Sequence, residues 1–352
     1  MPFIIRHAGD ADLPAINRLA SQVFRSSAEA NPSMAELYPT LFAPQNAPNW
    51  TVAEADGRIL SAVGMVPQPV RIGSARIVTA GIGSVCTAPE ARGQGAAGRC
   101  LEAAMARALA IGAQLMWISG DRSLYRRAGC RPAGAFVERR SERDPSAWPA
   151  APDLSIEADS DDIATIARLS ALESVAFCRT PERWRRQLAG HRAGTREPVY
   201  RLRAVAVVRR GGERVAWVAY SIHERPGQPV RLEVVEVAGE RTAAAAAVGQ
   251  LARAHACRVV RWVTPLHECG WGERLDAVLG GEWRTEPRTN PGHTFRVLDA
   301  GELRSALAAY LDESGLAWPS SQDEAALTEA LFAPGAAGRA LIPLPASGLS
   351  YV

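Results

Sequence analysis

A chain of 352 residues, of which 47% are hydrophobic, is too long for one typical core and predicts two domains. The formal net charge of +3 is small for this length and argues against a dedicated nucleic-acid surface. Every basic residue is arginine, which excludes lysine Schiff-base chemistry and a P-loop of the Gly-Lys-Ser/Thr type.

The six cysteines are scattered and form no C-x-x-C pair, which predicts reduced thiols rather than a disulfide framework or a zinc site. The six histidines show no metal-ligand spacing, so we expect no metal. The amino terminus lacks the pattern of a signal peptide, and no apolar segment approaches the roughly 20 residues that span a bilayer. We therefore expect a cytoplasmic protein that does not act at a membrane.

The first half of the chain predicts a mixed α/β domain. An N-terminal strand and helix precede two hairpin turns, at Asp56-Gly57 and near Gly73-Ser74. The second turn leads into a strand from about Arg76 to Thr87. The elements that follow are a helix over 95–112, a strand over 114–119 and a brief helix over 124–128. The apolar face of the long helix is expected to comprise Leu101, Met105, Ala108 and Leu109.

The second half repeats this order of elements weakly, which suggests a duplicated fold. A hairpin about Gly211-Gly212 is followed by a strand, an alanine-rich helix and another strand. A charged, proline-rich segment from Arg139 to Asp153 predicts a linker. The predicted division is an N-terminal domain over 1–140, a linker over 141–153, a second domain over 154–299 and a C-terminal helical and apolar tail over 300–352 that packs on the body.

Residues 92–97, Arg-Gly-Gln-Gly-Ala-Ala, join the predicted strand to the long helix. Glycines allow a tight turn and close approach to a ligand, and the N–H groups at a helix N-terminus converge on an anion. A pyrophosphate suits such a loop, so a nucleotide-sugar, a dinucleotide or coenzyme A would fit. A dinucleotide fold would place the loop after its first strand, whereas several strands precede it here.

The segment Val85-x-x-x-Pro89-x-x-Arg92-Gly-Gln-Gly-Ala-Ala97 resembles motif A, Arg/Gln-x-x-Gly-x-Gly/Ala, of the GCN5-related N-acetyltransferase (GNAT) superfamily. "LYRRAGCRPAG", residues 124–134, resembles the superfamily's later Tyr-x-x-x-Gly-Phe/Tyr signature. The resemblance implies tandem GNAT folds, each a mixed, mostly antiparallel sheet flanked by helices, followed by a short C-terminal segment. It also implies that acetyl-CoA is the co-substrate and is bound by Val85, Cys86, Thr87, Arg92, Gly93, Gln94, Gly95, Ala96 and Ala97. The second GNAT-like unit lacks the loop motif and is not expected to bind coenzyme A.

The tandem arrangement resembles the enhanced-intracellular-survival acetyltransferases in particular, as does the Tyr-x-x-x-Gly-x-x-Pro-Ala spacing from Tyr125 to Ala133. Two departures stand out. That group has a full sterol-carrier-like third domain, whereas only about fifty residues remain here. Its loop also has consecutive arginines where this chain has Gly93 and Gln94. The architecture therefore carries over, but the group's aminoglycoside substrates do not.

The resemblance implies that Tyr125 is the general acid for the departing thiolate; the alternative is a buried tyrosine that only packs. The general base stays open among the C-terminal carboxylate of Val352, Asp121 and water, because the strand over 76–87 contains no Asp or Glu. Val352 is the base that the enhanced-intracellular-survival group implies. Cys86 is expected to be a buried structural thiol.

The expected function is transfer of an acetyl group from acetyl-CoA directly to an amine, either a small molecule or a peptide amino group. The alternative is a non-catalytic sensor or scaffold that binds coenzyme A. The identity of the acceptor, the choice of acyl group and the oligomeric state, a homo-oligomer included, stay open.

Overall fold

The computed structural model describes residues 2–268, 270–288, 293–321, 323–335, 339–346 and 348–350. Its strands are β1 (Ile4–His7), β2 (Trp50–Ala55), β3 (Arg58–Ile72), β4 (Ala75–Thr87), β5 (Leu115–Ser119), β6 (Arg131–Pro132), β7 (Phe136–Glu142), β8 (Leu154–Glu157), β9 (Val175–Phe177), β10 (Tyr200–Arg210), β11 (Glu213–His223), β12 (Arg231–Gly239), β13 (Val259–Pro265), β14 (Arg284–Arg288) and β15 (His293–Val297). Its helices are α1 (Leu13–Arg25), α2 (Met34–Leu37), α3 (Ala96–Ala110), α4 (Ser123–Arg127), α5 (Ile163–Ser170), α6 (Pro181–Ala193), α7 (Arg241–Ala254), α8 (Trp271–Leu279), α9 (Ala300–Ser314) and α10 (Glu324–Phe332). Within these ranges, no helix combines the length and the apolar character needed to cross a membrane.

The chain forms two compact units, and each is built around one sheet. The first unit comprises the described residues within 2–133 and 293–333, and the second comprises those within 134–288 and 334–350. The strand order is β1-β2-β3-β4-β5-β15-β6 in the first sheet and β14-β7-β13-β12-β11-β10-β8 in the second. In each sheet a parallel pair, β4 with β5 or β12 with β13, lies among antiparallel neighbours. The predicted mixed, mostly antiparallel tandem fold is therefore confirmed.

Two strands lie in a different sheet from the one that their position in the sequence predicts. Strand β7 runs through the start of the predicted linker and pairs with β13 and β14 in the second sheet. Strand β15 pairs with β5 in the first sheet, although it follows all the other strands in the chain. No local pattern specifies pairing at such sequence separation, so the contiguous bounds 1–140, 141–153, 154–299 and 300–352 stay a prediction.

The predicted turns before β4 are confirmed. Asp56 and Gly57 both have positive φ, +48° and +72°, and connect the paired residues Ala55 and Arg58. This backbone matches the twist of the flanking strands, which is why Asp-Gly predicts a two-residue hairpin. Gly73, with φ of +56°, belongs to the next turn.

The apolar face predicted for α3 was partly wrong. Its buried residues are Ala96, Cys100, Leu101, Ala104 and Ala108. Leu109 is 45% exposed, because it follows Ala108, the last buried residue of this face, and its side chain points away from the sheet. The small residues of this stripe let the helix lie close to the sheet.

An ion pair in the second unit fixes the last described residues. The side chain of Arg179 is 1% exposed and donates two hydrogen bonds to Glu236, at 2.5 and 2.9 Å. Arg179 also donates to Ser350 Oγ, and Glu236 Oε2 accepts the N–H of Leu349 at 2.9 Å. A buried charge pair therefore holds Leu349 and Ser350, and the packing of the whole segment 300–352 on the body stays a prediction.

We predict that Arg179→Met lowers the free energy of unfolding of the second unit by about 3 kcal/mol, because it leaves the Glu236 carboxylate unpaired in a largely buried place. Urea denaturation followed by tryptophan fluorescence measures the effect. The matched control is Arg58→Met, which removes an exposed ion pair with Glu90 and is expected to cost about 0.5 kcal/mol or less. A loss for Arg179→Met no larger than the control's would contradict a structural role for the pair.

Candidate functional site

The candidate site of the first unit begins where two parallel strands stop pairing. Strands β4 and β5 pair over only four residues each, from Thr79 opposite Leu115 to Ile82 opposite Ile118. Strand β4 continues to Thr87 and pairs on its other side with β3. Among the described residues no strand pairs with this edge of β4 beyond Ile82, and its main-chain polar groups there need another partner.

A bulge in β4 coincides with this divergence. The pairing with β3 shifts between Gly83, opposite Gly64, and Cys86, opposite Ala62. Ser84 lies in the bulge with φ of +50°, and its Oγ is buried with no hydrogen-bond partner in the described part of the chain. A buried, unpaired hydroxyl is costly, so a site that offers one suits a ligand with a polar group.

The predicted glycine-rich loop lies between β4 and α3 and is open. Gly93 and Gly95 have φ of +76° and +81°, and a Cβ at either would meet no atom within 4 Å. Gly95 is the N-cap of α3 and has no side chain to accept the first N–H groups of the helix. Arg92, Gly93, Gln94 and Gly95 are all exposed. The uncapped N–H groups of α3, the positive end of its helix dipole and the Arg92 guanidinium together favour the binding of an anion.

Cys86 is unsuited to nucleophilic chemistry. The side chain lies on β4 just past the bulge and is 2% exposed. Burial raises the pKa of its thiol to about 12, so the reactive thiolate is scarce at neutral pH. The geometry therefore agrees with the expectation of a structural thiol.

Tyr125 lies on α4, which follows the end of β5. It is 4% exposed and packs in the cluster that contains Ile82, Ile118 and Ala96, on the α3 face of the sheet. Its backbone carbonyl accepts the N–H of Cys130 at 3.0 Å across the turn that ends α4. Gly129, with φ of +81°, makes this turn possible. The tyrosine is thus held beside the last paired residues of β4 and β5.

Sequence reasoning missed His293, which strand β15 brings to the end of β5. His293 pairs with Ser119, and its ring lies 4.9 Å from that of Trp117, centroid to centroid. Trp117 in turn covers Gly81, where a Cβ would lie 2.8 Å from the indole. Side chains alternate between faces along a strand, so His293 and Trp117 share the face opposite Tyr125. Only the long-range pairing of β15 reveals this.

Of the sequence's other candidates, Asp121 is engaged elsewhere. Arg126 donates hydrogen bonds to both of its carboxylate oxygens, at 2.7 and 2.5 Å. This guanidinium holds the pKa of the Asp121 carboxyl below its usual range, which makes the group a weak base. Val352 lies outside the described residues. Within the described ranges no cluster of three or more His, Cys, Asp or Glu is arranged to hold a metal ion.

The second unit repeats the divergence but not the loop. Strands β12 and β13 also pair over four residues each, 231–234 with 259–262, and β12 has a bulge at Val235. Helix α7, however, starts at Arg241, two residues after the end of β12 at Gly239. The carboxylate of Glu173 accepts the Gly239 N–H at 2.9 Å and is bound by Arg241. A side chain of the protein itself therefore occupies the place where an anion would bind.

Solved structures of other proteins have a fold similar to that of this chain. The described structure is similar to a GNAT from Anabaena variabilis (16% identity, TM-score 0.65, 87% of this chain and 75% of that one) and to a probable N-acyltransferase from Enterococcus faecalis (17%, 0.66, 86% and 74%). It is also similar to Eis1 from Mycobacterium abscessus (16%, 0.58, 88% and 76%). At these identities the likeness concerns the fold. No curated protein matches the chain significantly.

Residues 4–133 match the family model described as an acetyltransferase (GNAT) domain. The match agrees with the resemblance that the loop and the Tyr-x-x-x-Gly spacing carry, and it lies within the first unit. A domain of this kind supports N-acyltransferase activity in general.

Proposed function

We propose that the first unit transfers an acetyl group from acetyl-CoA directly to an amine. The observation that carries this proposal is the open loop at Gly93–Gly95, which stands at the N-terminus of α3 next to the diverging edge of β4. The loop suits the pyrophosphate, and the free edge of β4 at Val85, Cys86 and Thr87 suits the amide groups of the pantetheine arm. The thioester would then lie in the gap beyond Ile82.

In the proposed reaction the amine nitrogen attacks the thioester carbonyl carbon, and the bond between that carbon and sulfur breaks. The nitrogen gives its proton to a base, and the departing thiolate takes a proton from the Tyr125 hydroxyl. The burial of Tyr125 supports this role, because a dry site strengthens hydrogen bonding to a developing anion. The acceptor is a small amine or the amino group of a peptide.

The base proposed from the family resemblance is the carboxylate of Val352. His293 is the second candidate and the one that the described residues support, since its ring lies at the end of β5 on the face opposite Tyr125. A group on that face can receive the proton of an amine that approaches the thioester from the side opposite the acid. The ion pair with Arg126 disfavours Asp121.

Loss of the loop conformation should abolish donor binding. We predict that Gly95→Val raises the dissociation constant of acetyl-CoA at least about tenfold, because a β-branched residue is strained at φ of +81° and changes the loop conformation at the N-terminus of α3. Isothermal titration calorimetry measures the constant. Gly315→Val, at φ of +64° with equally open surroundings, controls for strain alone. Unchanged binding in Gly95→Val would rule out the loop as the pyrophosphate site.

Removal of the proposed acid should slow the chemical step. For Tyr125→Phe we expect kcat to fall about 100-fold with little change in acetyl-CoA binding, since the ring still packs but has no proton to give. Free-thiol release with a panel of amines measures turnover. Unchanged kcat would remove Tyr125 from the mechanism. Acetyl-CoA binding by the wild type without turnover on any amine would instead favour a coenzyme A sensor or scaffold.

The proposed base is tested at the carboxyl end. Extension of the chain by Gly-Ser-Gly after Val352 moves the terminal carboxylate and should lower kcat about 100-fold or more, while acetyl-CoA binding and the melting temperature stay unchanged. Full activity of the extended chain would exclude Val352. In that case loss of activity in His293→Gln, with acetyl-CoA binding unchanged, would assign the role to His293.

A further inference from the structure

The second unit contains a cavity of ≈ 80 Å³ that the proposed reaction does not use. It lies where β12 and β13 diverge beyond their four paired residues, in the place corresponding to the thioester gap of the first unit. Its wall includes Phe177, Trp262, Trp271, Glu173, Glu236 and Glu268. A volume of this size has room for several water molecules or one small head group.

The end of this gap towards α7 is closed to anions. Arg241 donates to Glu173 and, through Nε, to Glu268 Oε2 at 2.7 Å. Glu173 also takes the N–H of Gly239. The Gly239 N–H and the Arg241 guanidinium are therefore already bound to two carboxylates, and a phosphate that used these donors would have to displace both.

The charge of the cavity wall, counted with its ion partners, is negative. Glu173 and Glu268 share the single guanidinium of Arg241, which leaves one negative charge. Glu236 is balanced by Arg179. Burial lowers the pKa of His267, also in the wall, and so favours its neutral form. The neighbouring cations of α6 at 183 and 186 are not part of the wall.

Glu268 offers an oriented acceptor. Its Oε2 is fixed by Arg241 and by the indole N–H of Trp271 at 2.8 Å. Its Oε1 receives no hydrogen bond from the described residues, and the side chain is 26% exposed. A carboxylate held from one side in this way loses little conformational entropy when it binds a cation on the other.

Two indoles complete the site. The rings of Trp262 and Trp271 lie 4.8 Å apart at 54° and form an aromatic corner in the wall next to Glu268. The faces of tryptophan rings attract cations, and more so where water is excluded. A carboxylate beside an aromatic corner is the combination that recognises alkylated ammonium groups.

We propose that this cavity is a binding site for a small organic cation, an ammonium group that carries short alkyl substituents. The proposal does not depend on the reaction of the first unit. It assigns to the second unit a ligand of opposite charge to the pyrophosphate proposed for the first.

The probe is trimethylammonium chloride, titrated into the full chain against sodium chloride of equal ionic strength, with binding followed by saturation-transfer NMR. We expect saturable binding with a dissociation constant on the order of 1 mM. Glu268→Gln removes the charge with little change of shape and should weaken binding about tenfold. The matched control is Glu182→Gln, an exposed carboxylate of the same unit that does not line the cavity, with unchanged binding expected.

A second variant guards against misfolding in the first. Ala346→Leu fills the cavity from a partly exposed loop without altering any charge, and it should also abolish binding while the circular dichroism spectrum and melting temperature stay those of the wild type. Absence of saturable binding to the wild type would overturn the proposal. The proposal would also be overturned if both cavity variants bound the cation with the affinity of the wild type, or if pyrophosphate at equal concentration displaced the cation.

Discussion

The structure depends on a single constraint that occurs twice: two parallel strands pair for four residues and then diverge. Main-chain N–H and C=O groups must be satisfied wherever they are buried, so a strand edge that loses its neighbour needs a substitute. In the first unit the bulge at Ser84 leaves a buried hydroxyl without a hydrogen-bond partner among the described residues, and our proposal gives the place beside β4 to the pantetheine arm. In the second unit the protein's own Glu173 takes the N–H at the end of β12.

The connection between strand and helix decides which of these outcomes occurs. Eight residues separate β4 from α3, including two glycines with positive φ, and the N-cap of the helix, Gly95, is exposed and has no capping side chain. Only Glu240 separates β12 from α7, and the first helical residue, Arg241, donates hydrogen bonds to the carboxylates of Glu173 and Glu268. The same framework therefore presents an open glycine-rich loop in one unit and a wall of carboxylates in the other.

Features encoded locally could be predicted from the sequence. The Asp56-Gly57 hairpin, the loop and the helix after it each depend on residues a few positions apart, and the structure shows all three. The placement of His293 and the pairing of β7 with the second sheet could not be predicted, because both depend on pairing between distant strands. The exposure of Leu109 could not be predicted either, because the spacing of apolar residues in α3 fits more than one face of the helix and only the packing shows which face lies on the sheet.

The central claim is that acetyl-CoA is held by the diverging edge of β4 and the loop before α3, and by the first unit alone. Hydrogen–deuterium exchange with and without acetyl-CoA tests both parts within one molecule. The account predicts new protection of the amides of 83–87 and 93–97, with no change at 236–243. Protection that appears at 236–243, or none at 83–97, would contradict it.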